Sequence, residues 1–156
     1  MKMVLKELLK ADTIRIDIDQ LDKWSAIERL ADLLVDSGKA ADRAALVDAI
    51  VNREKQGSTG LGNGIAIPHA RTDGVREVVA ALGISGPGMD FDSADGKPCH
   101  LIFLIAAPLR ESTKYLEALA AVASLGERAS LVSQLKSARS VDDVLAFFDV
   151  FRHRAD

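Results

Sequence analysis

The sequence predicts an α/β fold, a mixed β-sheet with helices packed on both faces in a single domain, and three observations carry that prediction. Two long apolar runs, REVVAALGIS (76–85) and CHLIFLIAAP (99–108), are bounded by turn residues, as expected of central strands buried on both faces. Segments with helical spacing of apolar residues lie both before and after them. The chain has 156 residues, 48% of them hydrophobic, enough to fill one core without disulfides or a metal.

Each element follows in order. After a short amphipathic start, Met1 to Lys10, the segment TIRIDI alternates apolar and polar residues from Thr13 to Ile18, the period of a half-buried strand. From Leu21 to Ser37, Ile27, Leu30, Ala31, Leu34 and Val35 share one helical face, and Gly38 stands where a left-handed cap belongs. Asp42 is the expected N-cap of a second helix, which carries Leu46, Ala49, Ile50 and Arg53 on one side and stops at Gly57. STGLGNGIAIPHAR (58–71) then runs from glycine-punctuated polar residues into a short strand, Ile65 to Ile67. Between the two long strands, SGPGMDFDSADGKP (85–98) is dense in Gly, Pro and Asp and is expected to be a connection, not a core element. Ser112 caps a helix that reaches Leu125 and ends at Gly126. Glu127 to Ala138 forms another, and Ser140 with Asp143 starts a last one rich in Val, Leu and Phe.

Composition narrows the function classes. A net charge of −3, with both signs scattered, offers no basic stripe for nucleic acid. The lone cysteine, Cys99, excludes an internal disulfide and a cysteine-cluster zinc site, and fits a reducing compartment; a cytoplasmic location is expected. No charged, apolar leader opens the chain, and its longest apolar run, Leu101 to Ala107, is too short to cross a bilayer, so no membrane insertion is expected. Of the three histidines, His69, His100 and His153, no two stand at ligand spacing, and no metal is expected. His100 reads as a core or sheet-end residue and His153 as part of a polar tail. No GxSxG nucleophile elbow is present.

The chemistry concentrates in 58–71. Gly60, Gly62 and Gly64 could let backbone N–H groups converge on an anion, or simply form a tight turn into the strand. The Lys-Ser/Thr ending of a Walker loop is missing, and a strand follows where a dinucleotide fingerprint needs a helix, which disfavours a nucleotide. Pro68 has no N–H and a fixed φ, so it should end strand pairing after Ile67 and deliver His69 to the strand end in restricted geometry. An imidazole so placed can act as a nucleophile; the plainer reading is a surface histidine.

REKQGSTGLGNGIAIPHAR (53–71) closely resembles the phosphorylation-site signature of the IIA components of the bacterial phosphoenolpyruvate-dependent phosphotransferase system, fructose/mannitol class. STGLGNGIAIPH is most similar to the nitrogen-regulatory branch. The resemblance continues through FDSADGKPCHLIFLIAAP and the closing SVDDVLAFF. It implies phosphoryl transfer through a phosphohistidine, with His69 as acceptor and a small histidine-phosphorylated carrier protein as donor. No cofactor is implied. Arg53 matches the arginine of the family's RE element, whose planar charged fork can hold phosphate oxygens; otherwise it is a basic residue favouring a helix C-terminus. Ser58, Thr59 and Gly60 match the signature and are candidate phosphate supports, although turn formation accounts for the hydroxyls equally well.

STKYLEAL departs from the family, which commonly has a second histidine directly before the leucine where this chain has Tyr115. A phenol can donate to a phosphoryl oxygen but cannot titrate near neutral pH, and Tyr115 could equally be an aromatic anchor at a helix start. The expected function is a regulatory phosphocarrier whose modification changes its protein partners, a role that a chain ending without an attached IIB or membrane domain would suit. The alternatives are a sugar-transport IIA subunit passing phosphate to a IIB domain, and a binding module that has lost transfer.

Overall fold

The protein is described by a computed structural model covering residues 4–150. The first part contains α1 (Val4–Leu8), a 3-10 turn (Ala11–Thr13), β1 (Ile14–Arg15), α2 (Lys23–Asp36) and α3 (Arg43–Lys55). Five strands follow: β2 (Gly60–Gly62), β3 (Ile65–Ala66), β4 (His69–Arg71), β5 (Val79–Met89) and β6 (Cys99–Ala107). Three helices complete the described chain: α4 (Thr113–Gly126), α5 (Ala129–Lys136) and α6 (Val141–Val150).

One mixed sheet runs in the order β1-β5-β6-β3-β2, and β4 also pairs with β6. β5 and β6 are antiparallel, whereas β1 on β5 and both β3 and β4 on β6 are parallel. Alternation along β6 explains its unbroken apolar run. Leu101, Phe103, Ile105 and Ala107 enter the core packed with residues of α1, α4, α5 and α6, and Ile102, Leu104 and Ala106 enter the core beneath α2 and α3. Because successive side chains point to opposite faces and helices cover both, every position from Leu101 to Ala107 must be apolar.

Several boundaries differ from the sequence expectations. The Thr13–Ile18 strand shrinks to Ile14–Arg15, because Thr13 is drawn into the preceding turn, its Oγ1 accepting from Lys10 N and donating to Lys10 O. α2 begins at Lys23, where Asp22 caps it by accepting from Ser25 N at 2.8 Å. Asp42 caps α3 as expected, accepting from Ala45 N at 3.0 Å. The connection expected over 85–98 begins as strand: β5 continues through Gly86, Pro87 and Gly88 to Met89, which lies opposite Cys99. Pro87, unable to donate to a ladder, sits where the register shifts, and Phe91 beyond it is completely buried. Ser112 stands at the N-cap of α4, its carbonyl accepting from Leu116 N, but its side chain makes no capping hydrogen bond. Residues 1–3 of the amphipathic start and His153 lie outside the described residues.

Pro68 interrupts strand pairing without ending it. β3 aligns Ile65 with Leu101 and Ala66 with Ile102, and β4 resumes on the same neighbour with His69 opposite Ile105. The proline lacks a donor, but its carbonyl accepts from Ile105 N at 3.0 Å, so the chain keeps its line along β6 and pairing restarts one residue later. His69 is thereby fixed within a ladder.

Candidate functional site

β2 and β3 form a hairpin whose two-residue loop is Asn63-Gly64, with φ of 58° and 85°. Positive φ at both central positions is what a tight hairpin of this twist requires, and Asn and Gly are the residues that tolerate it best. The loop is pinned on both sides. Asn63 donates its amide to Asp95 Oδ2 and its Nδ2 to Gly126 O, each at 3.0 Å, and Gly64 O accepts from His100 N and Leu101 N.

The base of the hairpin is held by a buried ion pair. Glu54, 3% exposed, accepts from Thr59 N at 2.9 Å and from Thr59 Oγ1, and its Oε2 lies 2.8 Å from Lys23 Nζ. Ser58 Oγ donates to Phe91 O and accepts from Gly60 N. Thus the hydroxyl hydrogens of Ser58 and Thr59, and the amides of Thr59, Gly60 and Asn63, are all engaged within the protein. In this state the glycine stretch is a braced turn, and its engaged amides are not an open anion cradle. Thr59 O accepts from Ile67 N at 3.0 Å and carries the bracing one step towards His69.

His69 is half-buried, and its Nδ1 lies 2.6 Å from Ile67 O. A carbonyl can only accept, so Nδ1 carries the proton and Nε2 holds the lone pair. Along β4, His69 and Arg71 face outward while Ala70 is buried, as strand alternation demands. The Tyr115 ring lies 6.3 Å from the imidazole, tilted by 52°. Arg71 Cζ stands 5.2 Å over that same ring, and Arg71 Nη2 donates to Ser112 Oγ at 3.0 Å. Burial pushes the Tyr115 phenol above its ordinary range, with the positive charges of Arg71 and then Arg53 pulling the other way. Arg53 is half-buried on the last turn of α3, with Nη1 donating to Gly57 O at 3.0 Å.

The structure therefore gathers His69, Tyr115 and Arg71, with Arg53 within electrostatic reach of Tyr115, and places Ser58, Thr59 and Gly60 in the scaffold beneath. Arg71 is the member that sequence reasoning missed. Its signal is spacing: two residues after His69 in a strand is the same face. His100 stands at the sheet end, with Nδ1 near Ser85 O and Gly86 O. Among the described residues no group of three or more His, Cys, Asp or Glu is placed to hold a metal ion, and no helix is long and apolar enough to cross a membrane.

Residues 7–150 match the family model described as phosphoenolpyruvate-dependent sugar phosphotransferase system, EIIA 2. The chain belongs to this EIIA family. It is 42% identical over 143 residues to the fructose-specific EIIABC component of Bacillus subtilis, covering 92% of this chain but only 22% of that longer protein. It is 39% identical over 138 residues to the fructose-specific EIIA component of Haloferax volcanii, covering 86% and 90% of the two chains. Among solved structures it resembles the nitrogen regulatory protein IIA-Ntr of Neisseria meningitidis, with TM-score 0.84, 32% identity and 93% and 99% coverage. Mannitol IIA of Escherichia coli, solved in complex with phosphorylated IIB, gives TM-score 0.77 at 26% identity, covering 90% and 96%. EIIA proteins are carriers of phosphoryl groups, and both the fructose/mannitol class and the nitrogen-regulatory branch named by the glycine-stretch resemblance are among the relatives.

Proposed function

We propose that this EIIA chain is a phosphocarrier in which Nε2 of His69 accepts a phosphoryl group from a histidine-phosphorylated carrier protein. The observation that carries this reading is the 2.6 Å contact between His69 Nδ1 and Ile67 O, which leaves Nε2 as the free lone pair. In the transfer, that lone pair forms the new N–P bond as the carrier's N–P bond breaks. The broken bond's electron pair returns to the carrier's ring nitrogen, and the His69 Nδ1 proton stays on Nδ1, donated to Ile67 O. Phosphoryl transfer of this kind asks the protein mainly for alignment and charge stabilisation. The braced hairpin and the β6 ladder supply the first; Arg53 and Arg71 supply the second. Ser58, Thr59 and Gly60 contribute through the loop geometry.

The modified His69 then serves as a regulatory mark read by partner proteins in the cytoplasm, since a phosphate alters charge and acceptor oxygens at one spot without refolding the chain. A second reading, transfer onward to a IIB domain of the fructose type, is favoured by a specific observation: the identities of 42% and 39% to fructose-specific relatives exceed the 32% to IIA-Ntr.

Incubation with the phosphorylated carrier should introduce acid-labile phosphate that His69→Ala abolishes; label retained in the variant overturns the acceptor assignment. Adding a fructose-type IIB domain separates the outlets. Rapid discharge of the label supports the relay, and a label that persists supports the regulatory role.

A further inference from the structure

Arg71 differs in setting from the other charged groups around the site. It shares the outward face of β4 with His69, and the Tyr115 ring touches both environments, 6.3 Å from the imidazole and 5.2 Å from the guanidinium carbon. Among the described residues it forms no ion pair, and the hydrogen bond of its side chain runs from Nη2 to a neutral hydroxyl, Ser112 Oγ. A guanidinium has five N–H donors in a rigid fork, so most of this one remains uncommitted. The Ser112 hydroxyl, free of capping duty on α4, and the Tyr115 face together limit where the fork can point. Arg53, by contrast, spends Nη1 on a backbone carbonyl at the end of its own helix.

We propose that Arg71, oriented by stacking on Tyr115 and by Ser112, grips the phosphoryl oxygens once His69 is modified. This rests on the reading of His69 as acceptor. Tyr115 is then a positioning residue that acts through Arg71 by its ring face, and its hydroxyl oxygen is dispensable. Tyr115 stands where the family commonly has a second histidine, and through Arg71 it brings a planar fork of N–H donors to that place. An unpaired guanidinium gains most when an anion arrives beside it, and a fork already oriented loses little rotamer freedom on binding.

The test is the equilibrium distribution of phosphoryl groups between carrier and EIIA, with the hydrolysis half-life of the phosphohistidine, across variants confirmed as folded by circular dichroism. Arg71→Gln should shift the distribution towards the carrier by about tenfold or more, the scale of one lost charge-assisted hydrogen bond. Arg71→Lys should restore only part of it, because an ammonium lacks the fork. Tyr115→Phe should stay within about twofold of the parent protein, as a change sparing the contact would. Tyr115→Leu should approach Arg71→Gln, and the double variant should be no worse than Arg71→Gln alone, because both changes remove one shared interaction. An unchanged distribution in Arg71→Gln, or a loss in Tyr115→Phe equal to that in Tyr115→Leu, overturns the proposal while leaving His69 as acceptor. Label that survives His69→Ala overturns the acceptor reading and this proposal with it.

Discussion

Thr59 gives both its amide and its hydroxyl hydrogens to one carboxylate, that of Glu54, which is itself buried against Lys23. The Lys23 ammonium also lies 5.1 Å from the ring centres of Trp24 and Phe91, so the start of α2, the end of α3 and the hairpin base meet at one charge pair. Removing Glu54 takes away the buried partner of Lys23, leaving it only the exposed Asp92 carboxylate at 3.5 Å, and strips Thr59 of its acceptor. Glu54→Ala should therefore cost about 3–5 kcal/mol of stability, read from the midpoint of urea unfolding. Thr59→Val, which takes away only a donor, should cost about 1–3 kcal/mol. Equal midpoints for Glu54→Ala and the parent protein would refute this account of the brace.

Gly60 is required for its size. A Cβ there would fall 2.3 Å from Ser93 Oγ and 3.0 Å from Ser93 Cα, and Ser93 Oγ is itself buried against Cys99 Sγ at 3.1 Å. With its hydroxyl engaged and its backbone also in the way, Ser93 has no cheap retreat. Gly60→Ala should lower stability by about 1–3 kcal/mol, the usual cost of overpacking, and slow phosphoryl acceptance by displacing the hairpin. Adding Ser93→Gly should recover part of both losses in melting and transfer assays; no recovery would point to backbone strain in place of the Ser93 clash.

These two braces show where the sequence was readable and where it was not. The helix face of Ile27, Leu30 and Leu34, the Asp42 cap and the apolar run of β6 are local patterns, and the structure follows them. The β2–β3 hairpin carries a strong local signal in Asn63-Gly64, yet its first strand is Gly-Leu-Gly, which no strand propensity would select. It is a strand because Gly60 and Gly62 pair with Ala66 and Ile65. Glu54 looks like a solvated helix residue until tertiary packing brings Lys23 to it. His69 is singled out as a candidate by its motif, whereas Arg71 becomes a candidate only once Pro68 is seen to interrupt a ladder that then resumes.

Tyr115 is the sole tyrosine, so its phenol can be titrated directly by ultraviolet absorbance. Burial is the largest influence on it and raises its pKa above the ordinary 10.0, against the opposing charges of Arg71 and Arg53. The folded chain then holds this proton more tightly than the unfolded chain does. Its contribution to stability is complete below the unfolded value and is lost as pH rises through the folded one. Native protein should show a delayed phenolate transition, and Tyr115→Phe should flatten the alkaline decline in melting temperature. Tyr115→His should add a new titration near neutral pH to the rate of phosphoryl acceptance, which the parent protein lacks at this position.

Cys99, also the only residue of its type, is fully buried. Burial pushes its thiol up from the ordinary 9.0; the Ser93 hydrogen bond opposes this, and the charges of Asp95, Asp90 and Glu54 add to it. The thiolate is the reactive form, so Cys99 should resist a thiol reagent in the native protein and react at the ordinary rate in urea. Rapid native labelling would show that the β6 start opens readily, contrary to the close packing seen there. The raised thiol also predicts stability lost as pH climbs past the ordinary thiol range towards the folded value.

The short contact between His69 Nδ1 and Ile67 O makes a prediction about which ring nitrogen is modified. With the proton held on Nδ1 by a carbonyl two residues back, the lone pair on Nε2 faces away from the backbone. Long-range proton–nitrogen NMR of the free protein should show Nδ1 as the protonated nitrogen and Nε2 as the bare one. After phosphorylation, the phosphorus coupling should fall on Nε2. The carbonyl belongs to the backbone, so Ile67→Val should leave the tautomer unchanged. Pro68→Ala should loosen it, because the substituted residue could rotate and would carry its own N–H. Coupling to Nδ1 in the modified protein would mean that the Ile67 contact breaks before transfer and that the ladder does not fix the imidazole.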